Sequence, residues 1–366
     1  MTRKHIQFAL SLLITAACLY LAFRSVRFDL LWDGFKTVNY LWLLPFVVVT
    51  TLSMYLRAVR WKYLLEPVVN VPSYTLFPPL IICFALNGIL PGRAGEFARA
   101  YLVAKDYRVK FSSTIGTVIV ERIADGVGLL ILFVVILYFV PLTGSVQLEW
   151  GKKTFAINAA QLGALTNKLL IASLVLLAGA ILMLWGPFRD LVLGIVRRVP
   201  LLPHKFKDGL IHFIETFVHG FHSLRSPRLV FWVIFHTGTV WLTVGLSLWI
   251  ISYGFPNIQM TFLKGMATSI IICIAILIPA APGYWGLYEV GCILALQMLG
   301  AVQPGPAGNA AALNYSLVIH FFQMVCTIAP GMFFLWRRQV KISELTHAEA
   351  TNQENEKEEE VRSSKL

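Results

Sequence analysis

Six stretches of the chain are apolar for about the length a bilayer requires: residues 6–23, 41–57, 114–140, 167–186, 229–251 and 311–335. About 20 apolar residues in a helix cross the hydrocarbon core, so each stretch predicts a transmembrane helix. Two more apolar segments, 74–103 and 261–309, are interrupted partway by helix breakers. The first interruption reads Pro91-Gly92-Arg93-Ala94-Gly95-Glu96, the second Pro282-Gly283-Tyr284-Trp285-Gly286-Leu287-Tyr288-Glu289. Both set Pro-Gly, a glycine three residues on, and then a carboxylate. Broken backbone at membrane depth survives only where protein buries it or where it lines a cavity. Pro91, Gly92 and Gly95, and Pro282, Gly283 and Gly286, are therefore read as structural breaks. The interrupted segments are read as re-entrant helical hairpins.

The cationic residues between the spans set an orientation. Arg3 and Lys4, the Arg57/Arg60/Lys62 loop, Lys105/Arg108/Lys110, the long 187–228 segment and Arg337/Arg338/Lys341 are all expected on the cytoplasmic side, with both termini. On that parity the first hairpin starts and ends inside and the second outside, the signature of an inverted repeat. The expected fold is an all-α polytopic integral membrane protein over residues 1–342, with about six full transmembrane helices plus two re-entrant helical hairpins. Counting the interrupted segments as complete spans gives the alternative of eight or so, and would place Arg93 and Arg99 outside.

Three stretches fall outside this scheme. In 187–228, Phe206, Leu210, Phe213, Ile214, Phe217 and Phe221 share a helix face, which predicts a cytoplasmic amphipathic segment lying in the membrane interface. His212, Glu215, His219 and His222 on its other side are zinc-binding residue types, but no rigid partner element accompanies them and no metal is expected. Residues 343–366 are acidic and polar, the pattern of a disordered tail. The basic start, Thr2-Arg3-Lys4-His5, and Thr15-Ala16-Ala17-Cys18 imitate a cleavable leader. Apolar sequence nevertheless continues to Phe23, as in an uncleaved first span.

Composition agrees with a membrane protein of the cell (inner) membrane. Hydrophobic residues make up 57% and charged residues 14%, against about 25% charged in soluble domains, and mean hydropathy is +0.70. Net charge is +12, divided into −4 from residues 343–366 and +16 from the body. Loops facing anionic lipid account for that excess, and with no groove-reading motif no nucleic-acid partner is expected. The five cysteines (Cys18, Cys83, Cys273, Cys292, Cys326) sit in apolar runs without metal-ligand spacing, which makes them buried hydrophobes. No cofactor is expected.

The chemistry lies in charges within or beside the apolar runs. Asn87, Arg93, Glu96 and Arg99 surround the first break; Glu121, Arg122 and Asp125 open the 114–140 span; Glu289 follows the second break. A charge at the centre of a membrane helix costs about 2.5–3.5 kcal/mol on the translocon scale, so these groups should face the interior and pair. One reading makes them ion pairs that pin helices together. The other makes them a substrate site, with arginine forks for phosphate and carboxylates for a headgroup amine or a proton. His236 and His320 are expected to be satisfied core histidines, and Lys264 to snorkel at a span end. Nothing resembles a nucleophile–base arrangement or a phosphate-binding Gly loop, so no enzymatic activity is expected.

The run Asn87-Gly88-Ile89-Leu90-Pro91-Gly92-Arg93-Ala94-Gly95-Glu96-Phe97-Ala98-Arg99, then Glu121-Arg122 with Asp125, then Pro282-Gly283 with Gly286 and Glu289, resembles the lysylphosphatidylglycerol synthase transmembrane (flippase-like) family over roughly residues 5–340. The resemblance implies movement of lipids or lipid-linked molecules between leaflets. After Arg338 there is no room for an aminoacyl-transferase domain, so the expected form is a stand-alone member. Its partners would be membrane lipids, a phosphate-headgroup amphiphile first, and a lipid-modifying enzyme encoded separately. Two other functions compete: a proton-coupled secondary transporter of a small polar solute, and an accessory membrane subunit of a glycosyltransferase or lipid-synthesis system.

Overall fold

The computed structural model describes residues 3–24, 26–90, 94–140, 146–150, 153–157, 159–183, 185–198, 207, 211, 226–278 and 281–339. The chain is a polytopic helical bundle. In order it forms α1 (Arg3–Arg24), α2 (Phe28–Thr37), α3 (Leu43–Leu65), α4 (Ser73–Ile89), α5 (Ala94–Tyr107) and α6 (Phe111–Phe139). After the strands β1 (Val146–Trp150) and β2 (Lys153–Ile157) come α7 (Ala159–Leu182), α8 (Gly186–Arg198), α9 (Pro227–Ser252), α10 (Phe262–Ala275), α11 (Leu287–Met298) and α12 (Pro306–Arg338). Each of the six predicted spans lies within a helix or within one residue or a few of its ends. Among the described residues, Tyr40–Leu65, Phe111–Phe139, Pro227–Ser252 and Pro306–Arg338 are long and apolar enough to cross a membrane. The apolar stretches of α1 and α7 are shorter, Leu12–Arg24 and Thr166–Leu176. Large side chains point outward from the bundle, including Leu44 and Val48 on α3, Val135 on α6, Ile171 and Val175 on α7, Ile234 on α9 and Trp336 on α12. That much exposed apolar surface is what a protein solvated by lipid presents.

Both interrupted segments fold as helix–break–helix, with the second helix doubling back along the first. In the first, a Cβ on Gly95 of α5 would lie 2.0 Å from the Cys83 carbonyl oxygen of α4. Only glycine permits that approach. The Gly95 amide also donates to Asn87 Oδ1 at 2.9 Å, which gives one of the orphan N–H groups at the start of α5 a partner. In the second, a Cβ on Gly291 of α11 would lie 2.8 Å from the Ala275 Cβ of α10. The break itself needs Gly283 at φ +76° and Gly286 at φ +87°, left-handed values that cost other residues about 1–2 kcal/mol. Pro91, Gly92 and Arg93 lie outside the described residues.

Two equivalent units result. In each, a long helix leads into a broken hairpin that is closed by another long helix: α3, α4–α5 and α6, then α9, α10–α11 and α12. The main helix–helix packing relations within and between them have counterparts among the described residues. Thus α3–α4 matches α9–α10, α5–α6 matches α11–α12, α4–α12 matches α10–α6, and α3–α12 matches α9–α6. The helices α3 and α9 pair with each other antiparallel. Trp42, just before α3, stacks 5.0 Å from Tyr253, just after α9, while Tyr63 near the end of α3 stacks 5.6 Å from Trp232 near the start of α9. A two-fold axis crossing that pair relates one unit to the other with opposite topology, as an inverted repeat requires.

Several expectations change. The Arg57/Arg60/Lys62 loop is helical, because α3 runs on to Leu65 and takes Arg60 to 0% exposure. An antiparallel hairpin between α6 and α7, with Val146 opposite Ile157 and Trp150 opposite Lys153, has no counterpart in the pattern of spans. The amphipathic face of 206–221, the histidines beside it and the tail 343–366 fall almost wholly outside the described residues.

Candidate functional site

The charged residues of the first unit form one network at the ends of α3 and α5 and the middle of α6. Glu121, 1% exposed, accepts from three arginines on three helices: Arg60 Nη2 of α3 at 2.9 Å, Arg99 Nη1 of α5 at 2.9 Å and Arg122 Nη2 of α6 at 2.7 Å. Asp125, one turn on, takes both Nη1 and Nη2 of Arg60, and lies 3.3 Å from Arg122 Nη2. Thr237 of α9 accepts from Arg60 as well, at 3.2 Å, so the network ties both units together. Arg99 rests 4.8 Å over the Trp61 ring, and Trp61 donates to Thr117 Oγ1 at 3.0 Å. Packing of this kind fixes the guanidinium plane, which lets each fork serve as a bidentate or bridging donor.

Two residues of the cluster face open space. Glu96 and Arg122, with side chains 19% and 34% exposed, approach only to 3.9 Å. They line a cavity of ≈ 280 Å³ whose wall draws on both units. Ser53 and Arg57 come from α3, Phe84 and Asn87 from α4, and Glu96 and Arg122 from α5 and α6. The second unit adds Ser247 from α9, Ser269 from α10, Tyr284 from the break, Tyr288 from α11, and His320 and Gln323 from α12. Arg57 is the surprise. Its guanidinium stands 5.5 Å from the Phe84 ring, its Nε is buried without a hydrogen-bond partner, and among the described residues it has no carboxylate within ion-pair distance. Across the cluster and cavity, among the described residues, Arg57, Arg60, Arg99 and Arg122 face Glu96, Glu121 and Asp125, which leaves an excess of one positive charge.

The predicted residues thus divide. Arg99, Glu121 and Asp125 are buried in the ion-pair network, with Arg122 reaching from it into the cavity beside Glu96. Asn87 lines the cavity and holds the first hairpin closed. Arg93 is outside the described residues. Glu289 is not brought to this cluster. At 0% exposure it sits on α11 behind the cavity wall with its own partner, His320, at 2.6 Å. His236 stacks on Tyr63 and Trp232 at 5.5 and 5.8 Å, but its Nδ1 is buried without a hydrogen-bond partner among the described residues, so it is packed rather than satisfied as expected; Lys264 reaches the Gly300 carbonyl at 3.2 Å. Sequence reasoning missed Arg57 and Arg60 because a cationic pair at the end of an apolar run reads as a loop signal. Their spacing of three, which puts both on one face of α3, was the clue that the helix continues inward.

Comparison with known proteins agrees with the geometry. The family model for the lysylphosphatidylglycerol synthase TM region matches residues 8–331. A UPF0104 membrane protein of Methanothermobacter thermautotrophicus (strain ATCC 29096 / DSM 1053 / JCM 10044 / NBRC 100330 / Delta H) is 30% identical over 115 residues, which is 29% of this chain and 34% of that protein. The match thus spans about a third of that relative's length. No solved structure matches the chain. With the family model covering nearly the whole bundle, both breaks included, the chain belongs to the lysylphosphatidylglycerol synthase transmembrane-region family.

Proposed function

We propose that the protein carries a phosphate-headgroup lipid, or a lipid-linked phosphate, from one leaflet of the cell membrane to the other. The observation behind this is Arg57, a cation without a carboxylate partner among the described residues, inside a cavity that both inverted units line. Holding such a charge among apolar helices costs about 2.5–3.5 kcal/mol. Evolution tolerates that cost where an anion completes the site. At ≈ 280 Å³ the cavity lies at the lower limit of ligand sites, which run to about 300–1,000 Å³. It suits a headgroup whose acyl chains stay in the bilayer. Arg57 and Arg122 would hold the phosphate, and Glu96, only loosely paired, would take an amine on a zwitterionic headgroup. In this reading the protein acts as a carrier rather than an enzyme, and the arginine and lysine distribution favours both termini on the cytoplasmic side. A lipid-modifying enzyme encoded elsewhere would supply or consume the lipid.

The test is translocation in reconstituted vesicles, with fluorescent lipids that differ only in headgroup. Phosphate-bearing lipids should cross, and a neutral diacylglycerol analogue should gain nothing from the protein. Equal movement of both, or of neither, contradicts the proposal. Arg57→Gln should slow the phosphate lipids alone.

A further inference from the structure

The Glu289–His320 pair forms a closed hydrogen-bonded unit that fixes its own proton count. His320 Nε2 lies 2.8 Å from the Gly283 carbonyl oxygen, an atom that only accepts, so Nε2 carries a hydrogen. Glu289 Oε2 lies 2.6 Å from the Gly286 amide, which only donates, so Oε2 accepts. Between them, His320 Nδ1 and Glu289 Oε1 are 2.6 Å apart, and that contact requires one hydrogen. Whether it sits on the ring as imidazolium–carboxylate or on the acid beside a neutral ring, the unit holds one mobile proton. Both outer partners, Gly283 and Gly286, are the two left-handed glycines of the second break.

We infer that Glu289 and His320 form a proton-binding site that couples lipid movement to a proton gradient. This rests on the cavity being the translocation path, since His320 lies in the cavity wall and Glu289 lies behind it. When the mobile proton leaves to water or to a phosphate oxygen in the cavity, one bond of the unit must fail. With Nε2–H kept, the Nδ1 lone pair faces a carboxylate; with the tautomer reversed, the Gly283 carbonyl loses its donor. The first change unlinks α12 from Glu289, the second frees the Gly283 carbonyl, and reprotonation restores the closed unit. The proton is conserved throughout, passing between the unit and the cavity.

The surroundings isolate this pair from other charges. Tyr288 and Trp285 stack on the imidazole at 4.1 and 4.3 Å. The other titratable groups nearby are Cys292 on α11, Tyr315 on α12, Cys273 on α10, Tyr284 in the break, and Cys18 of α1 against Gly286. Among the described residues, Glu289 and His320 have no ion pair except with each other. The cavity's charged groups, Arg57, Glu96 and Arg122, belong to the first unit.

Glu289→Gln is the decisive variant, because its amide satisfies the same partners. The carbonyl oxygen accepts from Gly286 and the NH2 donates to Nδ1, so folding should be kept while the mobile proton is removed. The readouts are the steady-state leaflet distribution of a phosphate-headgroup lipid across vesicles with a one-unit pH difference, and the pH-dependent carboxyl and imidazole bands in infrared difference spectra. For one proton per lipid, the wild type should reach an asymmetry of up to about tenfold and Glu289→Gln an equal distribution. A carboxyl or imidazole band present in the wild type and absent from the variant supports the site. Wild-type lipid that equilibrates but stays evenly distributed overturns the coupling and leaves the carrier reading standing. An asymmetry retained by the variant also overturns it. If no lipid moves, the carrier reading fails, and the absence of both a Glu289 carboxyl band and a His320 imidazole band then overturns the proton site as well.

Discussion

Glu121→Gln and Glu96→Gln, the same chemical change made 25 positions apart, should have opposite consequences. Glu121 is 1% exposed and accepts from Arg60, Arg99 and Arg122 at 2.7–2.9 Å. The amide removes the charge and turns one acceptor into a donor facing a guanidinium. Removing one partner of a buried charge cluster costs about 3–5 kcal/mol, a shift of roughly two to four orders of magnitude in the unfolding equilibrium. Glu96 is 3.9 Å from Arg122, beyond hydrogen-bond length, with its side chain 19% exposed to the cavity. A pair this loose contributes about 0–1 kcal/mol. Unfolding in mixed detergent micelles, followed by far-ultraviolet circular dichroism, measures both variants against the wild type. Glu121→Gln should lose most of its folded population, while Glu96→Gln should stay folded and lose transport of amine-bearing lipids. Equal stability of the two variants would refute the division of the cluster into a buried network and a cavity-facing pair.

Arg57→Gln should raise stability by up to about 2–3 kcal/mol, because it relieves a cation that has no carboxylate partner among the described residues. It should also slow translocation of a phosphate-headgroup lipid by about tenfold or more, the loss of one charge-assisted hydrogen bond of about 1.5–3 kcal/mol; micelle unfolding and vesicle assays read the two effects. Gly95→Ala forces a methyl against the Cys83 carbonyl and should cost about 1–3 kcal/mol. Gly126→Ala in α6, with nothing within 4 Å of its added Cβ, should be neutral or gain up to about 1 kcal/mol in the same measurement. Gly283→Ala must hold φ +76° and should lower thermal stability by about 1–2 kcal/mol.

The spans were legible because hydrocarbon imposes one length and one polarity on any helix that crosses it. The breaks were legible because Pro-Gly has no other use in such a run, and Gly95 and Gly283 sit where close approach or left-handed backbone demands them. Pairing was not. Glu121 and Asp125 visibly share a face, but their main partner, Arg60, lies some 60 positions earlier, and only the packing of α3 against α6 brings it there. Glu289 reads like Glu96 in the sequence, a carboxylate after a glycine. The structure separates them, because Glu289 turns back to cap its own break through Gly286, whereas Glu96 faces the cavity. His320 was readable only as a satisfied core histidine, since its partners Glu289 and the Gly283 carbonyl reach it only once α12 crosses the second break.

The most direct measurement is where the headgroup of a lipid rests in the protein. A phospholipid bearing a diazirine at its headgroup, photolysed in reconstituted vesicles and mapped by mass spectrometry, reports that position. Adducts on the cavity-lining Met54, Phe84, Tyr284 and Met324, reduced in Arg57→Gln, are the predicted result. Adducts confined to the outward residues Leu44, Val48, Ile234 and Trp336, unchanged by that substitution, would contradict entry of the headgroup between the two units.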